Sequence, residues 1–77
     1  MKLPNQTPTQ GIGRLVRRQR KHLGMTQAEL AMVSGTGVRF ISDLEHGKET
    51  CEFGKVLKVL ASLGLRIEIQ GGVEGAE

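Results

Sequence analysis

The 77-residue sequence predicts a mostly helical domain, four short helices followed by one β-strand that pairs across a homodimer. Three observations carry this. Apolar residues recur at helical spacing in four separate runs. Capping residues and glycines punctuate those runs. After the last run, Leu65-Arg66-Ile67-Glu68-Ile69-Gln70 alternates strictly, apolar then polar, with the period of a strand.

Residues 1–6 lack periodicity and are expected to form a disordered arm whose one charged side chain is Lys2. Thr7-Pro8-Thr9-Gln10 is a helix start: Thr7 caps, Pro8 fits the first helical position, and Gln10 completes a capping box. The helix is expected to run from Pro8 to about His22, with Gly24 ending it and Ile12, Leu15, Val16 and Leu23 as its apolar stripe. Gly11 and Gly13 weaken it and permit close packing. Arg14, Arg17, Arg18 and Lys21 form a separate basic stripe, either an ordinary solvated face or a surface for phosphate or a partner. His22, in the last turn, meets the negative end of the helix dipole, and Met25 fills core.

The stretch Gln27 to His46 reads as two short helices joined by a tight turn. Thr26 caps the first with a Thr-x-x-Glu box to Glu29. That helix is expected to end near Val33, broken by Gly35. Gly37 opens the next, which runs to about His46 before Gly47 stops it. Leu30 and Ala31 on one helix face Val38, Ile41 and Leu44 on the other, and Arg39, Ser42, Asp43 and His46 form a polar outer arc. Residues 48–52 read as a loop. Phe53 to Leu63 reads as a fourth helix, with Phe53, Val56, Leu57, Leu60 and Leu63 apolar and Gly64 closing it. A lone strand leaves its ladder groups unpaired. With no second strand in the sequence, residues 65–70 are expected to pair with the same strand of a second copy. The apolar face of Leu65, Ile67 and Ile69 would lie on the fourth helix. Residues 71–77 are Gly-rich and acidic and are expected to be disordered.

The chain has room for one small domain, which buries only about 60–65% of its unfolded surface. There is no Trp or Tyr and two Phe, so the core must be aliphatic. Residues 1–48 carry eight Lys or Arg against three Asp or Glu, and residues 49–77 carry three against five. A basic front half favours a polyanion. One cysteine, Cys51, allows no intrachain disulfide, and His22, His46 and Cys51 match no standard metal spacing. The absence of a long apolar run argues against a membrane span or signal-peptide core, so a cytoplasmic setting is expected. Ser34 and Ser42 have no evident His–carboxylate arrangement, and the glycines at 11, 13, 35 and 37 make neither a P-loop nor a dinucleotide fingerprint. No enzyme activity, metal or cofactor is expected.

The twenty residues from Gln27 resemble the helix-turn-helix of the phage-repressor-like (XRE) family. The matching residues are Gln27, Glu29-Leu30-Ala31, Gly35, Ile41, Leu44-Glu45 and Gly47-Lys48. The wider chain, from about Thr7 to Gln70, is similar to the HipB-like antitoxin branch. There the resemblance rests on Gly37 to Glu45, Gly54-Lys55-Val56-Leu57 and Leu63-Gly64-Leu65-Arg66-Ile67-Glu68. It implies a repressor-like DNA-binding domain over 7–64 and a dimerisation strand over 65–70, with Leu65, Arg66, Ile67, Glu68 and Ile69 at the seam. It also implies a structural salt bridge between Arg20 and Glu45, for which Arg17 is the rival partner.

The implied function is sequence-specific binding of double-stranded operator DNA by a homodimeric repressor, with the third helix in the major groove. Arg39 suits a guanine, Val38 a thymine methyl, and Ser42 donates or accepts. Asp43 either accepts from a cytosine amino group or only sets Arg39. Thr26, Gln27, Gly37 and Lys48 are the candidate phosphate contacts. Phe40, larger than the residue usual there, packs at the rim or wedges a base step. Cys51 stands where the family often has a small residue or Pro. The HipB-like resemblance further implies a HipA-like serine/threonine kinase toxin as partner, with DNA binding as autoregulation. A stand-alone repressor without a toxin is the alternative.

Overall fold

The computed structural model describes residues 7–71. Four helices follow one another: α1 (Pro8–His22), α2 (Gln27–Ser34), α3 (Val38–Glu45) and α4 (Phe53–Ser62). The first two begin as their sequences dictate. At α1, Thr7 Oγ1 accepts the Gln10 backbone N–H and the Gln10 side chain accepts the Thr7 N–H, both at 3.2 Å. At α2 the same reciprocal box joins Thr26 and Glu29 at 3.0 and 2.8 Å. Each box satisfies donors that the first helical turn leaves without intrahelical partners. Gly37 and Glu52 head α3 and α4 without a side-chain cap. Each helix is closed by a glycine in the left-handed region, with φ between 70 and 80° at Gly24, Gly35, Gly47 and Gly64.

The core is aliphatic: Val16 from α1, Leu30 and Ala31 from α2, Ile41 and Leu44 from α3, Val56, Val59 and Leu60 from α4, and Leu63 just after it. Ile12, Met25, Phe40, Cys51 and Leu65 pack around it. α3 sits against both α1 and α2, and α2 also packs on α4. Helices of eight residues are too short to persist alone in water, so α2 and α3 depend on this packing.

The buried arcs differ in part from the apolar stripes. In α4, Val59 is fully buried while Phe53 and Leu57 are 65% and 41% exposed. The apolar surface of α4 is wider than the face the core covers, so its edge stays in solvent. Leu23 and Val38, expected on inner faces, are each 48% exposed. α3 buries only Ile41, Leu44 and Glu45, all beyond its first turn, which leaves Val38 outside. Among the described residues there is no β-strand, and 65–71 carry no ladder. Among the described residues that segment has no strand partner. Leu65 packs against the core, and Leu65 and Ile67 border a cleft with Ile12 and Leu15 of α1 and Leu60 of α4. Ile69, expected on the same apolar face, is 90% exposed. Arg66 and Glu68 form an exposed ion pair at 3.2 Å within the chain. The expected disordered arm at 1–6, and all but the first residue of the expected tail at 71–77, lie outside the described residues.

Two glycines set how closely α1 meets the end of α3. A Cβ on Gly13 would clash with the Leu44 carbonyl oxygen and lie 2.9 Å from that of Glu45. A Cβ on Gly47 would lie 2.7 Å from Gln10 Cγ and 2.8 Å from its Cα. Backbone therefore packs on backbone here, and neither neighbour at Gly13 is a side chain able to swing aside.

The Gly13→Ala substitution separates two effects. Helix propensity alone would stabilise α1 by roughly 1 kcal/mol. Overpacking against fixed carbonyls costs about 1–3 kcal/mol or more. The clash wins, so thermal unfolding followed by circular dichroism is expected to show a lower melting temperature. An equal or higher one means that the two helices separate without cost.

Candidate nucleic-acid interface

The end of α3 is fixed by one charged cluster. Arg20, on the inner face of α1, donates from Nε to Glu45 Oε2 at 2.6 Å and from Nη2 to Glu45 Oε1 at 3.0 Å. Its Nη1 donates to the Met25 carbonyl at 2.8 Å. Gln27 Nε2, at the start of α2, donates to Glu45 Oε1 at 3.1 Å. The guanidinium and carboxylate side chains are only 10% and 2% exposed. A bidentate, buried pair with its remaining lone pairs satisfied is the geometry in which such an interaction holds well. It ties α1, the α1–α2 loop, α2 and α3 together. Burial pushes the Glu45 carboxyl up, but the hydrogen bonds from Arg20 and Gln27 and the charges of Arg20 and Arg17 outweigh it and hold the group below the usual carboxylate range. The hydrogen bond to Glu45 holds the Arg20 guanidinium above its ordinary value, against the opposing effect of burial.

The remaining candidate residues lie around this cluster. Gln27, expected to position phosphate, is half-buried with its side-chain amide bonded to Glu45. Thr26 is exposed, and its hydroxyl accepts the Glu29 backbone N–H. Gly37 is the extended residue before α3, with φ −104° and ψ 157°. Val38 and Arg39 are exposed in the first turn of α3, and Ser42 and Asp43 are half-buried one turn later. Asp43 pairs with Lys48 at 3.4 Å, a long, half-exposed contact of little energetic weight. Its partner is thus the loop lysine and not Arg39. Phe40 packs against the core, with Lys55 Nζ 5.9 Å from its ring centroid.

Arg14, Arg17, Arg18 and Lys21 are all exposed along α1. Arg17 lies at the edge of the cluster, where it lines a small cleft with Arg20, Gln27, Glu45 and His46. His46 was not singled out by the sequence as a site residue. The signal was its place between Glu45 and the helix-ending Gly47. The Cys51 thiol is pushed up by burial and by the charge of Asp43, against the opposing effect of Lys48. It lacks the depressed pKa that a redox switch requires. Among the described residues no helix is long and apolar enough to cross a membrane, and no three His, Cys, Asp or Glu side chains are grouped to hold a metal ion.

The helix-turn-helix family model matches residues 16–70. The HTH-type transcriptional regulator y4mF of Sinorhizobium fredii is 57% identical over 58 residues, which cover 75% of this chain and 76% of that protein. A chain of the solved HipA-HipB-O2-O3 complex has the same fold, with a TM-score of 0.77 over 92% of this chain and 100% of that one, at 22% identity.

Removing Glu45 tests the cluster. Glu45→Ala leaves the Arg20 guanidinium buried without its partner, which typically costs about 3–5 kcal/mol. That is a large share of the stability of a small domain. The pH dependence has a fixed sign. Because the folded-state carboxyl titrates below its unfolded value, its contribution is complete above the ordinary Glu pKa of about 4.3 and is lost as pH falls through the lower folded value. Urea unfolding of the wild type is expected to show this acid loss, and Glu45→Ala is expected to unfold earlier at neutral pH with a flatter acid limb. An unchanged midpoint at neutral pH would contradict a structural role.

Proposed function

The chain belongs to the helix-turn-helix family, and on that premise we propose that it is a sequence-specific, double-stranded DNA-binding repressor. It acts in the cytoplasm as a homodimer and serves as the autoregulating antitoxin of a HipA-like serine/threonine kinase. The observation that carries DNA binding is the division of α3. Ile41, Leu44 and Glu45 anchor it, while Val38 and Arg39 are exposed where a recognition helix reads bases. The basic balance of residues 1–48 supplies the field that draws in a polyanion. Arg39 reads a guanine through its two-pronged donor edge, Val38 meets a thymine methyl, and Ser42 and Asp43 lie one turn deeper. Thr26, Gln27, Gly37 and Lys48 position the backbone. Asp43 lies beside Lys48, 3.4 Å from its ammonium.

Dimerisation is supported by apolar surface that one chain leaves uncovered. Phe53, Leu57, Ile67 and Ile69 are all exposed. Residues 65–70 pair antiparallel with the same residues of a second copy, closing both edges. Leu65, Ile67 and Ile69 cover the helical layer, and Arg66 and Glu68 meet across the seam. The domain at 7–64 then stands twice on one face, as half-sites about 34 Å apart require. The likeness in fold to a chain of a HipA–HipB complex favours the antitoxin reading. The 57% identity with an HTH-type transcriptional regulator fits the antitoxin and the stand-alone alternative alike. Co-purification of the native protein, with or without a kinase, discriminates between them.

Two measurements test the reading. Arg39→Ala is expected to cost about 1–3 kcal/mol of operator affinity and to relax preference at one base position per half-site. A binding selection from random duplexes reads this directly, and an unchanged preference rejects Arg39 as a base reader. Ile67→Pro removes a ladder donor at the centre of the pairing segment. It is expected to give monomers with the helical content retained and the operator affinity largely lost. If sedimentation shows a full dimer at micromolar concentration, the seam lies elsewhere.

A further inference from the structure

When two copies of residues 65–70 pair, their register decides which side chains meet. Residues directly opposite each other in an antiparallel pair share a face. Leu65, Ile67 and Ile69 must therefore stand opposite residues of that same set if apolar surface is to meet apolar surface. A two-fold axis through Ile67 achieves this for all of them: Ile67 faces Ile67, and Leu65 of each copy faces Ile69 of the other. The polar face then carries Arg66 opposite Glu68 on both sides of the axis. A slip of two residues in one direction sets Arg66 against Arg66, and in the other direction Glu68 against Glu68. Like charges directly opposite each other are destabilising. A slip of four leaves a single pair within the apolar set.

The same register gives Ile69 a place. Ile69 is 90% exposed in its own chain. A cleft of about 400 Å³ lies between α1, α4 and the segment after α4, with Ile12, Leu15, Leu60 and Leu65 among its walls. A residue standing opposite Leu65 on the apolar face is at the mouth of that cleft, and in this register it is Ile69 of the second copy. Arg66 and Glu68 are exposed on the other face, where they pair within the chain at 3.2 Å. Exposed charges of this kind add little affinity, and their weight falls on the choice of partner and register.

We infer that Arg66 and Glu68 are the selectivity residues of the seam between two copies. They hold it in the register centred on Ile67, seat Ile69 of each copy in the cleft of the other, and restrict pairing to chains with the same order of charge. A related chain with the order reversed meets like charge on both sides of the axis. It escapes only by slipping two residues, which gives up one of the apolar pairs. This rests on the dimer reading above and adds to it what decides which chains pair.

The test lets tagged and untagged full-length copies exchange at micromolar concentration and counts mixed dimers by native mass spectrometry, with sedimentation giving the dissociation constants. Tagged and untagged wild type should give about half mixed dimers, as identical subunits do. The reversed variant Arg66→Glu/Glu68→Arg should form its own dimer as tightly as the wild type, and its mixed dimers with the wild type should be roughly tenfold rarer. Arg66→Glu and Glu68→Arg should each dimerise roughly tenfold more weakly alone, and mixing the two should restore wild-type strength. Ile69→Ala should weaken the dimer roughly tenfold or more, with the helical circular dichroism unchanged. Free mixing of the reversed variant with the wild type overturns the inference, as does a reversed variant that stays monomeric. An Ile69→Ala dimer of undiminished strength overturns the seat in the cleft. If the wild type itself sediments as a monomer, the dimer reading fails and the inference falls with it.

Discussion

The directional contact that orients the end of α3 is the Arg20–Glu45 pair. Aliphatic packing is strong but has little direction, and a helix of eight residues resting on Leu and Val side chains can slide or roll at small cost. A bidentate guanidinium–carboxylate contact is directional, and here its two partners are 25 residues apart in sequence and on different helices. Desolvating both charges is expensive. The structure offsets that cost by giving Glu45 a third donor from Gln27 and Arg20 an extra acceptor at Met25. One carboxylate thus fixes the first helix, the loop after it, the start of the second helix and the end of the third.

The backbone approach at Gly13 makes this arrangement stiffer still. With carbonyls of Leu44 and Glu45 against the Cα of Gly13, no side chain cushions α1 from α3. Just past the end of α3, Gly47 likewise lies close against Gln10 of α1. Apolar area alone would leave such a small domain close to the stability threshold. The pair and the close approach add definition of geometry where the core adds mainly free energy.

Much of this was legible in the sequence because its signals are local. Thr7 with Gln10 and Thr26 with Glu29 are capping boxes within one helical turn, and the closing glycines mark a backbone conformation that each residue sets for itself. What depends on distant partners was less legible. Val59 is buried and Leu57 is exposed because the fold covers one arc of a broad apolar stripe, and the stripe alone does not say which. Val38 sits outside because contact begins one turn later. Gln27 reads as a phosphate contact by position, and only the placement of Glu45 beside it reveals the amide's partner. Residues 65–70 have the period of a strand, but a ladder is a property of two segments, and a single chain supplies one.

The anchoring residues of α3 and its exposed residues are different sets. Ile41, Leu44 and Glu45 hold the helix, and Val38 and Arg39 hold nothing. Substitutions at the second set therefore leave the fold's stability almost untouched, and those at the first are penalised before any ligand is met. On the proposed reading of Val38 and Arg39, such a partition lets target preference drift during evolution without passing through unfolded ancestors. Paralogues descended from this chain can diverge in what they recognise while sharing one rigid frame.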